Sequence, residues 1–84
     1  MITIHDLLNK IKWDKRENPK QYLISYFDRI EKTLIKIPYT KIKRIEGSFM
    51  VLDNEEESNI PLHRIKKVMK NGVIVWEREM HKEF

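Results

Sequence analysis

The chain has 84 residues, 40% of them hydrophobic, which is enough for one domain over residues 1–84 with a single small core. It contains no cysteine, which excludes disulfides, thiolate zinc sites and cysteine nucleophiles. The formal net charge of +4 permits contact with a polyanion, while the lack of a signal sequence or of an apolar run of roughly 18 residues predicts a cytoplasmic protein outside the membrane.

The first predicted element is a helix near the N-terminus. Thr3 is the expected N-cap, with Asp6 as its capping-box partner, and Ile2 and Leu7 are spaced as a hydrophobic staple. The apolar residues that follow have the i, i+3, i+4, i+7 spacing of one helical face, which belongs in the core. These residues are Ile4, Leu7, Leu8 and Ile11.

A loop is predicted after this helix, because the helical period is lost over residues 14–18 and Asn18-Pro19 disfavours helix at Asn18. Trp13 lies beside the apolar face at the end of the helix. We expect its ring to fold back as a lid over the core, since a large ring gains more from burial than from exposure.

Short strands are predicted for most of the remaining chain. Alternation over residues 22–30 and β-branched residues over 33–37 predict a hairpin that Pro38 ends. A short helical turn or an irregular crossover is expected over residues 39–45, followed by a strand over 48–52.

The last predicted elements are a strand over residues 58–60, which pairs back, and a hairpin formed by residues 65–69 and 73–76. Asn71-Gly72 in its turn is the strongest short-range hairpin signal. The predicted fold class is α+β, with one N-terminal helix followed by a curled antiparallel sheet or small open barrel of five or six short strands.

The positive charge is clustered in two acid-free stretches, residues 36–44 and 63–70, each with four lysines or arginines. Such clusters attract the phosphates of nucleic acid, and this attraction weakens steeply with salt. The alternative is a solvated basic face without a partner. The lysines considered for phosphate attraction are Lys41, Lys43, Lys66 and Lys67.

His63 and Arg64 form the second candidate feature. Arginine offers a planar fork that matches phosphate oxygens, and histidine adds a further donor. On a regular strand the two side chains would point to opposite faces, so only a turn after Pro61 would direct both toward one ligand. In the alternative interpretation His63 is half-buried with a backbone partner, and Arg64 pairs with an acid such as Asp28.

Asp28 and Arg29 end the first predicted strand, where the carboxylate could orient the guanidinium toward a third partner. The alternative is a surface ion pair that contributes little to stability. Three tyrosines could stack an unpaired base, although core packing is favoured for at least two of them. They are Tyr22, Tyr26 and Tyr39.

Motifs for catalysis are absent from the sequence. It has no glycine loop for phosphates, no metal-ligand spacing and no serine placed beside a base. His63 could act as an acid on a cyclic phosphate only with the help of a second acid or base. We therefore expect neither an enzyme, nor a cofactor, nor a metal site.

Three stretches resemble a known family: Asn9-Lys10-Ile11-Lys12-Trp13-Asp14, the aromatic strand that ends in Asp28-Arg29, and Ile60-Pro61-Leu62-His63-Arg64-Ile65 followed by Gly72, Val75 and Trp76. Together they resemble the small archaeal family of uncharacterised proteins described as the RNA cyclic-group end-recognition domain. The resemblance spans nearly the whole chain. One departure is the compact connection over residues 30–33, where many relatives have a longer segment with glycine.

The resemblance implies a non-catalytic module that binds RNA ends with a 2′,3′-cyclic phosphate, in RNA processing or repair. It also implies the site residues, namely Asp28, Arg29, His63 and Arg64, with Trp13 and Trp76 as framework. The alternative function is an interaction adaptor that docks an RNA-processing enzyme. The oligomeric state cannot be predicted from this sequence.

Overall fold

The computed structural model describes residues 3–78, which form one α-helix and seven strands in two antiparallel sheets. The elements are α1 (Ile4–Trp13), β1 (Tyr22–Asp28), β2 (Thr33–Pro38), β3 (Ile42–Glu46), β4 (Phe49–Leu52), β5 (Asn59–Pro61), β6 (Ile65–Lys70) and β7 (Val73–Glu77). Short 3₁₀ turns precede three of the strands, at Pro19–Gln21, Tyr39–Lys41 and Leu62–Arg64. The larger sheet has the strand order β2-β1-β6-β7, and the smaller has β3-β4-β5.

Helix α1 begins as its sequence predicts. The Thr3 side chain accepts a hydrogen bond from the backbone N–H of Asp6 at 3.1 Å, which satisfies one of the free donors of the first turn. The four apolar residues of the predicted face are buried. Ile2, the expected staple residue, lies outside the described residues. Within residues 3–78, no helix has the length and apolarity needed to cross a membrane.

The prediction of a single curled sheet or small open barrel is wrong, because the chain is mostly β and divides its strands between two sheets. The strand that was missed is β3, in the segment predicted as a helical turn or crossover. Pro38 ends β2 because it lacks a backbone N–H, and the following 3₁₀ turn leads into the second sheet. A register shift between Ile42 and Arg44 hides the alternation of β3.

Both predicted hairpins are present. In the first, β1 pairs with β2 in a register that sets Ile24 opposite Ile37. In the second, Asn71 and Gly72 both adopt positive φ, at 51° and 82°, as the favoured two-residue hairpin turn requires. The short strand expected before Pro61 is β5, which pairs with β4 as predicted.

The core lies between α1 and the two sheets, and it contains all three tyrosines, so the expectation of core packing for at least two is confirmed. Tyr39 lies in the turn between the sheets, and its hydroxyl donates to the backbone carbonyl of Leu8 at 2.8 Å. This buried bond ties the helix to the crossover between the two sheets.

Trp13 does not cover the core. It is 73% exposed, because it follows Ile11 by two residues and therefore points away from the buried face of α1. The Lys12 ammonium lies 5.2 Å from the centre of its ring. A cation–π contact at the surface takes the place of the predicted burial.

Arg78 anchors the turn that carries His63 and Arg64. Its Nε donates to the carbonyl of Ile65 at 3.1 Å, and its Nη2 donates to that of Leu62 at 3.4 Å. The guanidinium also lies 5.3 Å from the ring centre of Trp76. The end of β7 therefore holds the turn before β6 in place.

Glu17 fixes the loop after α1 to the larger sheet. Its carboxylate accepts hydrogen bonds from the Tyr22 hydroxyl and, at 3.2 Å, from the Lys70 ammonium. These bonds hold the pKa of Glu17 below its usual range. Burial, together with the bond to Glu17, raises the pKa of Tyr22 to about 12.

The Arg78→Lys substitution should lower the free energy of unfolding by about 1 to 3 kcal/mol, because an ammonium lacks the fork that reaches both carbonyls. Urea denaturation measures this change. Arg29→Lys is the matched control, since the exposed Arg29 side chain makes no hydrogen bond within residues 3–78 and the change should stay within about 0.5 kcal/mol. Equal losses in the two variants would contradict the anchoring role of Arg78.

The raised pKa of Tyr22 predicts a loss of stability in alkali. The contribution of Tyr22 to the free energy of unfolding is complete below its unfolded-state pKa of about 10 and disappears as the pH rises toward about 12. Glu17 acts in the opposite direction, because its lowered pKa adds stability above about pH 4.3 that is lost in acid.

Glu17→Gln should shift the Tyr22 titration to lower pH, as measured by tyrosinate absorbance. The same substitution in a Tyr22→Phe background should cause no shift.

Candidate functional site

A cleft of about 300 Å³ lies between the end of β1 and the smaller sheet. One wall consists of residues 26–30, at the end of β1 and in the turn that follows. The other contains Asn54, Ser58 and Ile60, and Arg64 completes the lining. We call this cavity the arginine cleft, because Arg29 and Arg64 both line it.

The guanidinium groups of Arg29 and Arg64 have no hydrogen-bond or ion-pair partner within residues 3–78. Five of the other cations within residues 3–78 are neutralised by a carboxylate nearby. The pairs are Arg16–Asp14, Lys43–Glu57, Arg44–Glu46, Lys67–Glu77 and Lys70–Glu17. Two unpaired guanidiniums at one cavity favour an anionic ligand, since each offers a planar set of donors.

Asp28 supports this site through the backbone. Its carboxylate accepts hydrogen bonds from the N–H groups of Ile30 and Glu31, at 2.8 and 3.1 Å. These bonds fix the tight turn between β1 and β2, which carries Arg29. No ion pair joins Asp28 to Arg29 or Arg64 in the described part of the chain, so neither the orienting contact nor the alternative salt bridge is formed.

Sequence reasoning missed the polar wall of the cleft. Asn54 accepts a hydrogen bond from the backbone N–H of Ser58 at 3.1 Å, and its amide donates to the Ser58 hydroxyl at 3.3 Å. This pair closes the turn between β4 and β5. The only available signal was the turn propensity of Asp53-Asn54, which does not indicate which cavity the turn would border.

His63 lies in a separate cleft of about 450 Å³, which we call the histidine cleft. Its lining also includes His5 and Ser48, from the start of α1 and the turn before β4, and Arg78. Pro61 does precede a turn, but that turn is 3₁₀, in which neighbouring side chains diverge by about a third of a revolution. His63 and Arg64 therefore line different cavities. His5 hydrogen-bonds to Asn9 at 3.1 Å, and His63 has no such partner within residues 3–78.

The predicted lysines are distributed over the surface. Lys41 is exposed in the turn between the sheets, and neither it nor Lys43 lines the cavities described here. Lys43 pairs with Glu57, and with Arg44 it holds the pKa of that carboxyl below its usual range. Lys66 lines a third and smaller cavity. Among residues 3–78, no group of three or more histidine or acidic side chains could hold a metal ion.

The third cavity has a volume of about 130 Å³ and is called here the Phe27 pocket. Phe27 also lines the arginine cleft, and Arg78 also lines the histidine cleft. The Phe27 pocket therefore adjoins both the arginine cleft and the histidine cleft. The side chains that line the pocket are Phe27, Leu34, Lys66, Lys67, Glu77 and Arg78.

Comparison with known proteins gives one family and several relatives. The family model described as the MJ1316 RNA cyclic group end recognition domain matches residues 1–78. A UPF0248 protein of Metallosphaera sedula is 34% identical over 77 residues, covering 92% of this chain and 94% of the relative. A UPF0248 protein of Saccharolobus solfataricus is 30% identical over 78 residues, covering 89% and 95%. No solved structure is significantly similar.

The matched region includes α1, both sheets, the arginine cleft and the turn anchored by Arg78. It also contains the three stretches whose pattern first indicated a family. The chain belongs to the family of the MJ1316 RNA cyclic group end recognition domain.

Proposed function

We propose that the protein binds the phosphorylated end of an RNA without catalysis, and that the terminal phosphate enters the arginine cleft. The supporting observation is that Arg29 and Arg64 line one open cavity with no carboxylate paired to either within residues 3–78. Hydrogen bonds from guanidinium to phosphate are among the stronger ones in proteins. The description of the family agrees with this ligand class.

The charge of the cleft suits a 2′,3′-cyclic phosphate. Two guanidiniums and the carboxylate of Asp28 give the lining a formal charge of +1. A cyclic phosphodiester carries a single negative charge, whereas an open monoester carries about 1.5 to 2 at neutral pH. The amide and hydroxyl of Asn54 and Ser58 provide neutral polar groups at the wall opposite the arginines.

The remaining candidate residues would contact the RNA that precedes its end. His63 lies in the same turn as Arg64 but lines the histidine cleft instead of the arginine cleft. It is therefore suited to contact a neighbouring nucleotide of the RNA. Lys41, Lys43 and Lys66 would add attraction that depends on salt. The ion pair with Glu57 makes the Lys43 contribution the weaker one.

The direct test is a titration of short RNAs ending in cyclic phosphate, open phosphate or hydroxyl, at two salt concentrations. Arg64→Ala and Arg29→Ala should each weaken binding of the cyclic end by about tenfold to a hundredfold, as the loss of a charged hydrogen bond predicts. Arg16→Ala is the matched control, because Arg16 pairs with Asp14 and lines none of these cavities. Equal affinity for all three ends would remove the end-recognition proposal.

The same samples test for catalysis. His5 and His63 line one cleft, which gives a second group that could assist proton transfer. After incubation the cyclic phosphate should be recovered unopened. Ring opening that disappears in both His5→Ala and His63→Ala would replace binding with hydrolysis as the function.

The exposed edge of the larger sheet favours a second candidate function, docking to an RNA-processing enzyme. β7 is one of the two edge strands of this sheet within residues 3–78, and its residues Val73, Ile74 and Val75 are 63%, 47% and 46% exposed. An unpaired apolar edge can accept a strand from a partner. A purified RNA-processing enzyme that still binds after nuclease treatment, and no longer binds Val75→Lys, would support this candidate.

A further inference from the structure

We propose that the Phe27 pocket holds the base of the terminal nucleotide, stacked on the ring of Phe27; this inference rests on the proposed function. The pocket is on the outer face of the larger sheet. Tyr26 points into the core, so Phe27, the next residue along β1, points away from it. Leu34, which is directly opposite Phe27 on β2 and 44% exposed, completes an apolar floor.

The size of the pocket suits a single ring system. Its volume of about 130 Å³ is well below the roughly 300 to 1,000 Å³ of sites that enclose whole drug-sized ligands. A nucleotide would therefore place only its base there. Bases stack readily on aromatic side chains, and every base has a face that can do so.

Phe27 connects the pocket to the phosphate site, because its side chain lines both cavities. Arg29 follows Phe27 by two residues, and Lys66 follows Arg64 by two residues. The same two segments thus supply the arginines of one cavity and part of the floor and rim of the other. A nucleotide whose base stacks on Phe27 would therefore also adjoin the arginine cleft.

The apolar floor, more than the charge at the rim, favours a base over a phosphate in this pocket. Lys66 and Arg78 attract the RNA backbone from the rim. Glu77 also lines the pocket, with its carboxylate 3.8 Å from the Lys67 ammonium. A carboxylate repels phosphate, but it accepts hydrogen bonds from the amino groups of bases. Glu77 can therefore accept a hydrogen bond from a base that lies in the pocket.

The experiment compares two RNAs that both end in cyclic phosphate, one complete and one abasic at the terminal nucleotide. The complete RNA should bind between about fivefold and a hundredfold more tightly, as expected for one stacked base. Phe27→Leu keeps apolar volume but removes the ring, and it should abolish most of this difference. Phe49→Leu is the matched control, since Phe49 is 45% exposed and lines none of the three cavities.

A second readout separates stacking from support of the fold. In the complex, NMR signals of the terminal base protons should shift upfield, and Phe27→Leu should remove the shift while its urea midpoint stays near that of Phe49→Leu. If the two RNAs bind equally while Arg64→Ala still weakens binding of the cyclic end, the base site is overturned and the phosphate site stands. Indifference to the end group would overturn both proposals.

Discussion

Antiparallel pairing between β1 and β6 is the constraint on which the candidate site depends. The pairing sets Tyr26 opposite Ile65, two buried residues far apart in the chain. Because the strands run in opposite directions, the residues after Tyr26 lie beside those before Ile65. Arg29 and Arg64 therefore line one cleft, although neither belongs to a strand. The register of the β1–β6 pairing shifts between Ser25 and Tyr26, close to the cleft. Such bulges commonly redirect side chains beside functional sites.

Local patterns in the sequence predicted the elements that depend on neighbouring residues. Thr3 caps α1, and Asn71-Gly72 forms the turn of the last hairpin, because each needs only a few adjacent groups. The family resemblance, confirmed over residues 1–78, directed attention to Arg29 and Arg64. Their presence in one cleft required the structure, since it follows from strand pairing across some forty residues of chain.

The remaining errors come from contacts that no local pattern records. Strand β3 was missed because its bulge and its charged residues disguise the alternation, and its partner β4 lies across a turn at Gly47. Trp13 was expected inside because it is large, but its position on α1 determines the direction of its ring. Asp28 was expected to orient Arg29, yet the backbone N–H groups of the next turn satisfy its carboxylate first.

The presence of two guanidiniums at one cavity, more than the number of positive charges, distinguishes the arginine cleft from the rest of this basic surface. In each of the two basic clusters, two of the four cations pair with carboxylates: Lys43 and Arg44 in residues 36–44, and Lys67 and Lys70 in residues 63–70. Arg29 and Arg64 have no ion-pair partner within residues 3–78, so their hydrogen-bond donors are left to solvent or to a bound anion. An anion that binds the folded state alone also stabilises it.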